Sequence, residues 1–207
     1  TTLVGVSVAS GDQVSATATF LTGGVTPAST SEFSVNVSAV TSLIVDTTSD
    51  VADGDTSSIA ALNLDRGTDG VISLREAITA ANNTPNGGPA EIHFNIAGGG
   101  PHTILVTSAL PNITEAVVID GATEPDFAGT PIVELDGTSA GASDGLRLLS
   151  GNSTVRGLVI NRFSGFGLSV LSNSNVSVGN YIGTNGSGTS DLGNTSSGIQ
   201  LSGSSNT

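Results

Sequence analysis

Gly145-Leu-Arg-Leu-Leu-Ser-Gly-Asn-Ser-Thr154, Gly167-Leu-Ser-Val-Leu-Ser-Asn-Ser-Asn-Val176 and Gly198-Ile-Gln-Leu-Ser-Gly-Ser-Ser-Asn-Thr207 are three copies of one ten-residue pattern, and their first residues lie 22 and 31 positions apart. A period near 22 residues that carries two or three short strands is one coil of a parallel β-helix. The longer interval is what an inserted loop at 184–194 adds. Working outward from these copies, short apolar runs separated by Gly, Asn, Pro or Asp continue back to residue 91. They fall at 91–96, 102–107, 116–120, 131–136, 146–150, 155–160, 167–171, 176–182 and 199–202. Each such strand sends alternate small aliphatic side chains inward to stack on the next coil, while the bends call for Gly or Asn. Asn152 and Asn173, both in an Asn-Ser-x-Val pattern, are expected to stack as an amide ladder at equivalent bends. A β-sandwich with degenerate Ser/Asn turns is the competing architecture.

Composition agrees with strands and turns. Aromatic residues make up 3% and charged residues 11% of the chain, with 28 glycines. The 18 acidic side chains face 5 basic ones, all arginine, for a formal net charge of -13. That balance works against any sequence-independent grip on a phosphate backbone, so nucleic acid is excluded as a partner. The absence of cysteine removes disulfides, thiolate metal sites and cysteine nucleophiles. No apolar run reaches the length of a membrane span, and Thr1 is not followed by an export signal. Acidity, lack of lysine and a Ser/Thr/Asn surface suit an extracellular location.

Three regions follow from the pattern. Residues 1–43 alternate with the strand period, with Val14, Ala16, Ala18 and Phe20 on one face, a turn region at Gly23, Gly24 and Pro27, then Phe33, Val35 and Val37. This is a β-hairpin or a pair of edge strands. Residues 44–90 hold an acidic, aperiodic loop at 46–58 and one helix at 74–82. Ser73 and Glu76 form its capping box, Leu74, Ala77, Ile78 and Ala81 its apolar stripe, and Asn82, Asn83 and Pro85 its stop. So short a helix needs an apolar surface beneath it and is expected to cap the open end of the coils. Residues 91–207 are the coils, with the last one incomplete. The fold class is therefore all-β, a right-handed parallel β-helix with a short capping α-helix and an N-terminal β-hairpin.

The stretch Gly70-Val-Ile-Ser-Leu-Arg-Glu-Ala-Ile-Thr-Ala-Ala-Asn82 resembles the S-L-R-E-A-I signature that opens a group of bacterial cell-surface β-helix proteins. Glu91-Ile-His-Phe-Asn-Ile96, Ala109-Leu-Pro-Asn-Ile-Thr114, Val118-Ile-Asp-Gly121, Asn152-Ser-Thr-Val-Arg-Gly-Leu-Val-Ile160, Gly179-Asn-Tyr-Ile-Gly-Thr184 and Gly193-Asn194 are similar to successive coils of that group. Relatives often carry cysteine where Ile72 stands here. Gly11-Asp-Gln-Val-Ser-Ala-Thr-Ala-Thr19 and Ser31-Glu-Phe-Ser34 look like the segment that closes a unit. The resemblance covers roughly residues 44–207 and implies a fold far more than an activity; the coil repeat, the closing segment placed first, the incomplete last coil and the lack of a catalytic constellation lead to the expectation of a non-catalytic, secreted structural or adhesive protein. It would be a unit of an array or filament, its partners being copies of itself or flanking repeats, and surface glycans.

Candidate chemistry is sparse. Asp65, Asp69, Gly70, Ser73 and Glu76, with the Val71 carbonyl, fit a calcium-loop template at positions 1, 5, 6, 9, 12 and 7, making Ca2+ the candidate cofactor. Gly67 fails position 3 unless Asp53 or Asp55 reaches in. The competing reading assigns Glu76 to the capping box, Gly70 to a turn and Asp69 to the helix dipole. No catalytic residue is assigned. For a carbohydrate-active β-helix enzyme or carbohydrate-binding module, Asp120, Asp136 and Asp144 are the available carboxylates, with Asp120 and Asp136 as possible neighbours on consecutive coils. Both also read as Asp-Gly turn punctuation. Arg147, Arg156 and Arg162 have no acidic partner beside them in sequence. His93 and His102 are expected to pack and hydrogen-bond near the capped end, and Ser164 has no evident base. Asn36, Asn82, Asn112, Asn152, Asn175, Asn185 and Asn194 lie in N-x-S/T sequons, with Asn185 and Asn194 read as exposed.

Overall fold

A computed structural model describes residues 13–22, 26–38, 42–85 and 88–207. Strands β1 (Gln13–Thr22) and β2 (Thr26–Ser38) pair antiparallel. Gly11, Asp12, Gly23 and Gly24 lie outside the described residues. The chain continues through β3 (Ser42–Val45), α1 (Ile59–Leu64), α2 (Leu74–Asn82), β4 (Ala90–Phe94), β5 (His102–Leu105) and β6 (Val117–Asp120). It then forms β7 (Val133–Asp136), β8 (Leu146–Leu148), β9 (Thr154–Arg156) and β10 (Leu158–Asn161). The last strands are β11 (Phe166–Val170), β12 (Val176–Val178), β13 (Tyr181–Ile182) and β14 (Ser197–Leu201).

Among the described residues these strands form, besides the β1–β2 pair, three sheets whose neighbours are all parallel. The first runs β3-β4-β6-β9-β12, the second β5-β7-β10-β13 and the third β8-β11-β14. From β6 onward the chain visits first, second and third sheet in rotation, three times over. One rotation earlier, β4 and β5 are followed by Ile113, which makes a single parallel bridge to Leu148 of the third sheet. The register reproduces the sequence repeat: Leu146 pairs with Leu168 and Leu168 with Ile199, at the same offsets of 22 and 31.

Alternation then dictates the interior. Leu43, Ile92, Ile119 and Val155 align across the first sheet, and Ile104, Leu135, Ile160 and Ile182 across the second. All but the half-buried Ile182 are fully buried members of one core cluster. Each buried aliphatic side chain contributes about 1.5–3 kcal/mol, so the rows carry the stability of a chain with few aromatics. The repeated glycine that opens each ten-residue copy has a packing cause. A methyl group on Gly145 would sit 2.3 Å from the Gly167 carbonyl oxygen of the adjacent layer.

Four features differ from the sequence reading. The runs at 155–160 and 176–182 are each two strands in different sheets, because Gly157 (φ 69) and Gly179 (φ 64) turn a corner in the left-handed region. Parallel pairing begins before residue 91, since β3 is in register with β4. The loop at 46–58 is followed by a second short helix, α1, whose N-cap Ser58 accepts a hydrogen bond from the Ala61 amide and which buries Ile59 and Leu62. Asn152 and Asn173 are not at equivalent bends, since Asn152 aligns with Ser174, and the polar ladder stands one position after the first and two after the second. The Ser153 amide donates to Asn175 Oδ1 (2.9 Å), and the Asn175 amide donates to Asn206 Oδ1 (2.8 Å). The left-handed bend residues are Asn152, Ser174 and Ser205, all at φ 60. Helix α2 occupies the expected residues, packs on β3 and β4, and places its apolar face in the core cluster.

Candidate functional site

The Ser73–Glu76 motif is a structural knot. The Ser73 hydroxyl accepts from the Glu76 amide, and Glu76 Oε2 accepts from the Ser73 amide at 2.9 Å, closing the capping box. Glu76 Oε1 accepts from the amides of Asp53 and Gly54, both at 2.8 Å, so the buried carboxylate also ties down the acidic loop. Arg75 grips Asp50 through Nε and Nη2 (3.0 and 2.7 Å) and donates to the carbonyls of Ser108 and Ala109 (2.8 Å each). Ile72 is fully buried; its amide donates to Asp46 Oδ1 (2.7 Å) and its carbonyl accepts from the Asp46 amide (3.2 Å).

The residues of the calcium set take part in local hydrogen bonds. Asp65 accepts from the Gly67 amide, Asp69 from the Val71 amide, and both Glu76 oxygens face donors inside the protein. Among the described residues, no three carboxylate or imidazole side chains converge as a cation site. Asp53 accepts from Thr68, 15 residues further on, and Asp55 from the Ser57 amide in a local turn. The Thr68 hydroxyl and amide hold the Asp53 carboxyl below its ordinary 3.8, and hydrogen bonds from Ser57 lower that of Asp55.

The three candidate carboxylates are apart. Asp120 lies on the first sheet, Asp136 on the second, and Asp144 in the turn before the third, where it accepts from the Phe166 amide. Asp120 and Asp136 follow one another along a single coil and are not neighbours on consecutive ones. Sequence proximity missed their arginine partners: Arg156 is the register partner of Asp120, and Arg162 follows Asn161, the register partner of Asp136. Arg156 pairs with Asp120 across 36 residues, and that contact raises the guanidinium pKa further. Arg162 bonds Asp136 across 26 residues. His93 lies 3.5 Å from Glu91, while His102 is buried with Nε2 3.6 Å from Glu124 Oε1 and without a hydrogen-bond partner among the described residues. Ser164 is held by the Gly141 carbonyl and the Ser143 amide. Asn185 and Asn194 are half-buried, with their amides engaged.

A cavity of about 680 Å³ lies on the second sheet. Its floor is the register row Glu134–Val159–Tyr181, and its wall is the inserted loop. Glu134 Oε1 accepts from Asn161 Nδ2 at 2.7 Å, and Oε2 accepts from the Thr103 hydroxyl at 2.8 Å. Arg162 Nη1 lies 2.6 Å from Asp136 and 3.6 Å from Glu134, so two carboxylates share one cation. Arg162 itself is in the left-handed region (φ 59), outside the row of repeated bends. The loop is rigidly braced. Asn161 Nδ2 donates to the Thr184 carbonyl, Asn185 Oδ1 accepts from the amides of Thr189 and Ser190, and the Arg162 amide donates to the Leu192 carbonyl. Sequence reading missed Glu134, Arg162 and Tyr181 as a group. The signal available was the sole tyrosine of the chain beside the repeat's only long interval. A smaller depression of about 390 Å³ involves Asp144, Arg147 and Ser164. Among the described residues Arg147 is the arginine without an ion pair.

No protein-family model and no curated protein matches this sequence.

Proposed function

We propose that the chain is a right-handed parallel β-helix module of a secreted, cell-surface structural or adhesive protein, working through its length and its outer faces without catalysis. The handedness follows from the rule for parallel crossovers between twisted strands of L-residues. One observation carries the reading: each layer pairs in register with the next across three parallel sheets, with a one-way polar ladder beside them. Such stacking is additive along one axis and makes a rod. Strands β12, β13 and β14 each pair on one side, and Val178, Ile199 and Leu201 beside them are 53%, 43% and 62% exposed. An apolar, unpaired edge of this kind suits a further coil of the same pattern, whether supplied by a flanking repeat or a neighbouring copy. The separation of Asp120, Asp136 and Asp144 removes the support those residues lent to a hydrolase. Among the described residues no helix is long and apolar enough to cross a membrane.

Negative-stain imaging and small-angle scattering test the proposal. Elongated particles that lengthen by axial association support it; compact, monodisperse particles that never associate overturn it.

A further inference from the structure

We propose that the cavity between the second sheet and the inserted loop binds a neutral oligosaccharide. This gives the adhesive part of the reading above a site, and it rests on the cavity alone, so failure of axial stacking leaves it standing. A sugar presents apolar C–H faces ringed by hydroxyls that both donate and accept. The cavity offers the matching set. The half-buried ring of Tyr181 and the half-buried side chain of Leu192 supply apolar surface above the buried Val159. Glu134 accepts, and Arg162 donates: its Nε and Nη2 make no hydrogen bond to the described residues, since Nη1 alone reaches Asp136.

Charge selects the class of sugar. Two carboxylates around one guanidinium leave the site with a local charge of about -1 at neutral pH, within a chain of net charge -13. An acidic polysaccharide is repelled at both ranges. A neutral chain exchanges hydroxyl contacts with Glu134 and Arg162 and meets no such barrier. The site is also preformed. Both carboxylates are anchored, the left-handed backbone at Arg162 is held by the loop, and Asn185 and Asn161 brace the wall. A ligand therefore encounters few groups that must be ordered on binding.

The chain contains one tyrosine and no tryptophan, so its intrinsic emission reports this cavity directly. Cello-, manno-, xylo- and malto-oligosaccharides are titrated while tyrosine fluorescence and calorimetric heat are followed, with oligogalacturonate as the acidic comparator. At least one neutral series is expected to bind and change the emission. Tyr181→Ala is expected to weaken binding about tenfold, the equivalent of a lost ring contact. Ser187→Trp, an exposed substitution at the cavity mouth, blocks binding without touching the sheet, and Arg147→Ala leaves it unchanged. Circular dichroism melts verify folding of each variant. No binding by any neutral series, binding that survives both Tyr181→Ala and Ser187→Trp, or preferential binding of oligogalacturonate overturns the proposal.

Discussion

Glu76 carries more of this fold than its place in a capping box suggests. Its two oxygens take four hydrogen bonds, from the amides of Asp53, Gly54 and Ser73 and from the Ser73 hydroxyl, at 1% exposure. Glu76→Gln puts an amide NH2 against buried donors and strands at least one of them. A loss of about 3 kcal/mol is expected in urea unfolding, with the m-value unchanged if the native surface is kept. Asp53 acts through pH. Its folded pKa lies below the ordinary 3.8 because the Thr68 hydroxyl, and then the Thr68 amide, favour the ionised form. This contribution is complete above the unfolded value and is lost as the pH falls through the lowered folded value. Thr68→Val should therefore shrink the gap between the melting temperatures at neutral pH and below pH 3.8. An unchanged gap would assign the acid sensitivity to other carboxylates.

At the scale of elements, the ladder separates what the sequence made readable from what it did not. The repeat offsets of 22 and 31 are the strand register itself, because identical inward rows must lie on one another. Ser73 and Glu76 likewise announced α2, since capping is a local affair. The corners at Gly157 and Gly179 stayed hidden, because a glycine inside an apolar run looks the same whether the strand continues or turns. Helix α1 was illegible for a related reason: six residues hold too little periodicity, and its Ile59 and Leu62 are ordered by tertiary burial. The cavity was the least legible feature, since Glu134, Arg162 and Tyr181 meet only through three layers of stacking. The ladder is a sharp test of the observed register. Asn175→Ala leaves the buried Ser153 amide without an acceptor and should cost about 2 kcal/mol. Asn173→Ala removes a contact to the Ser204 amide at an exposed turn and should cost less than about 1 kcal/mol. The opposite ranking, in denaturant titrations of the two variants, would move the ladder back to the position the Asn-Ser-x-Val pattern suggests.

For the whole molecule, a contact term and a long-range term oppose each other at the apolar edge of β12–β14. Burial of Ile199, Leu201 and Val178 favours association, whereas a formal charge of -13 on every copy resists it. The second term is screened and the first is not. At low ionic strength the repulsion extends across the width of the edge, but near 0.1 M the screening length falls to about 10 Å. Association along the axis should therefore strengthen with added sodium chloride, the reverse of an assembly held by opposite charges. Sedimentation velocity across a salt series measures this directly. Leu201→Lys supplies the internal control: it places a charge in the middle of the apolar edge, so the salt-induced species should disappear. Because Leu201 is already 62% exposed, the melting temperature should stay close to that of the parent chain. Association that weakens with salt, or that persists in Leu201→Lys, would place the contact on one of the charged outer faces and away from the β12–β14 edge.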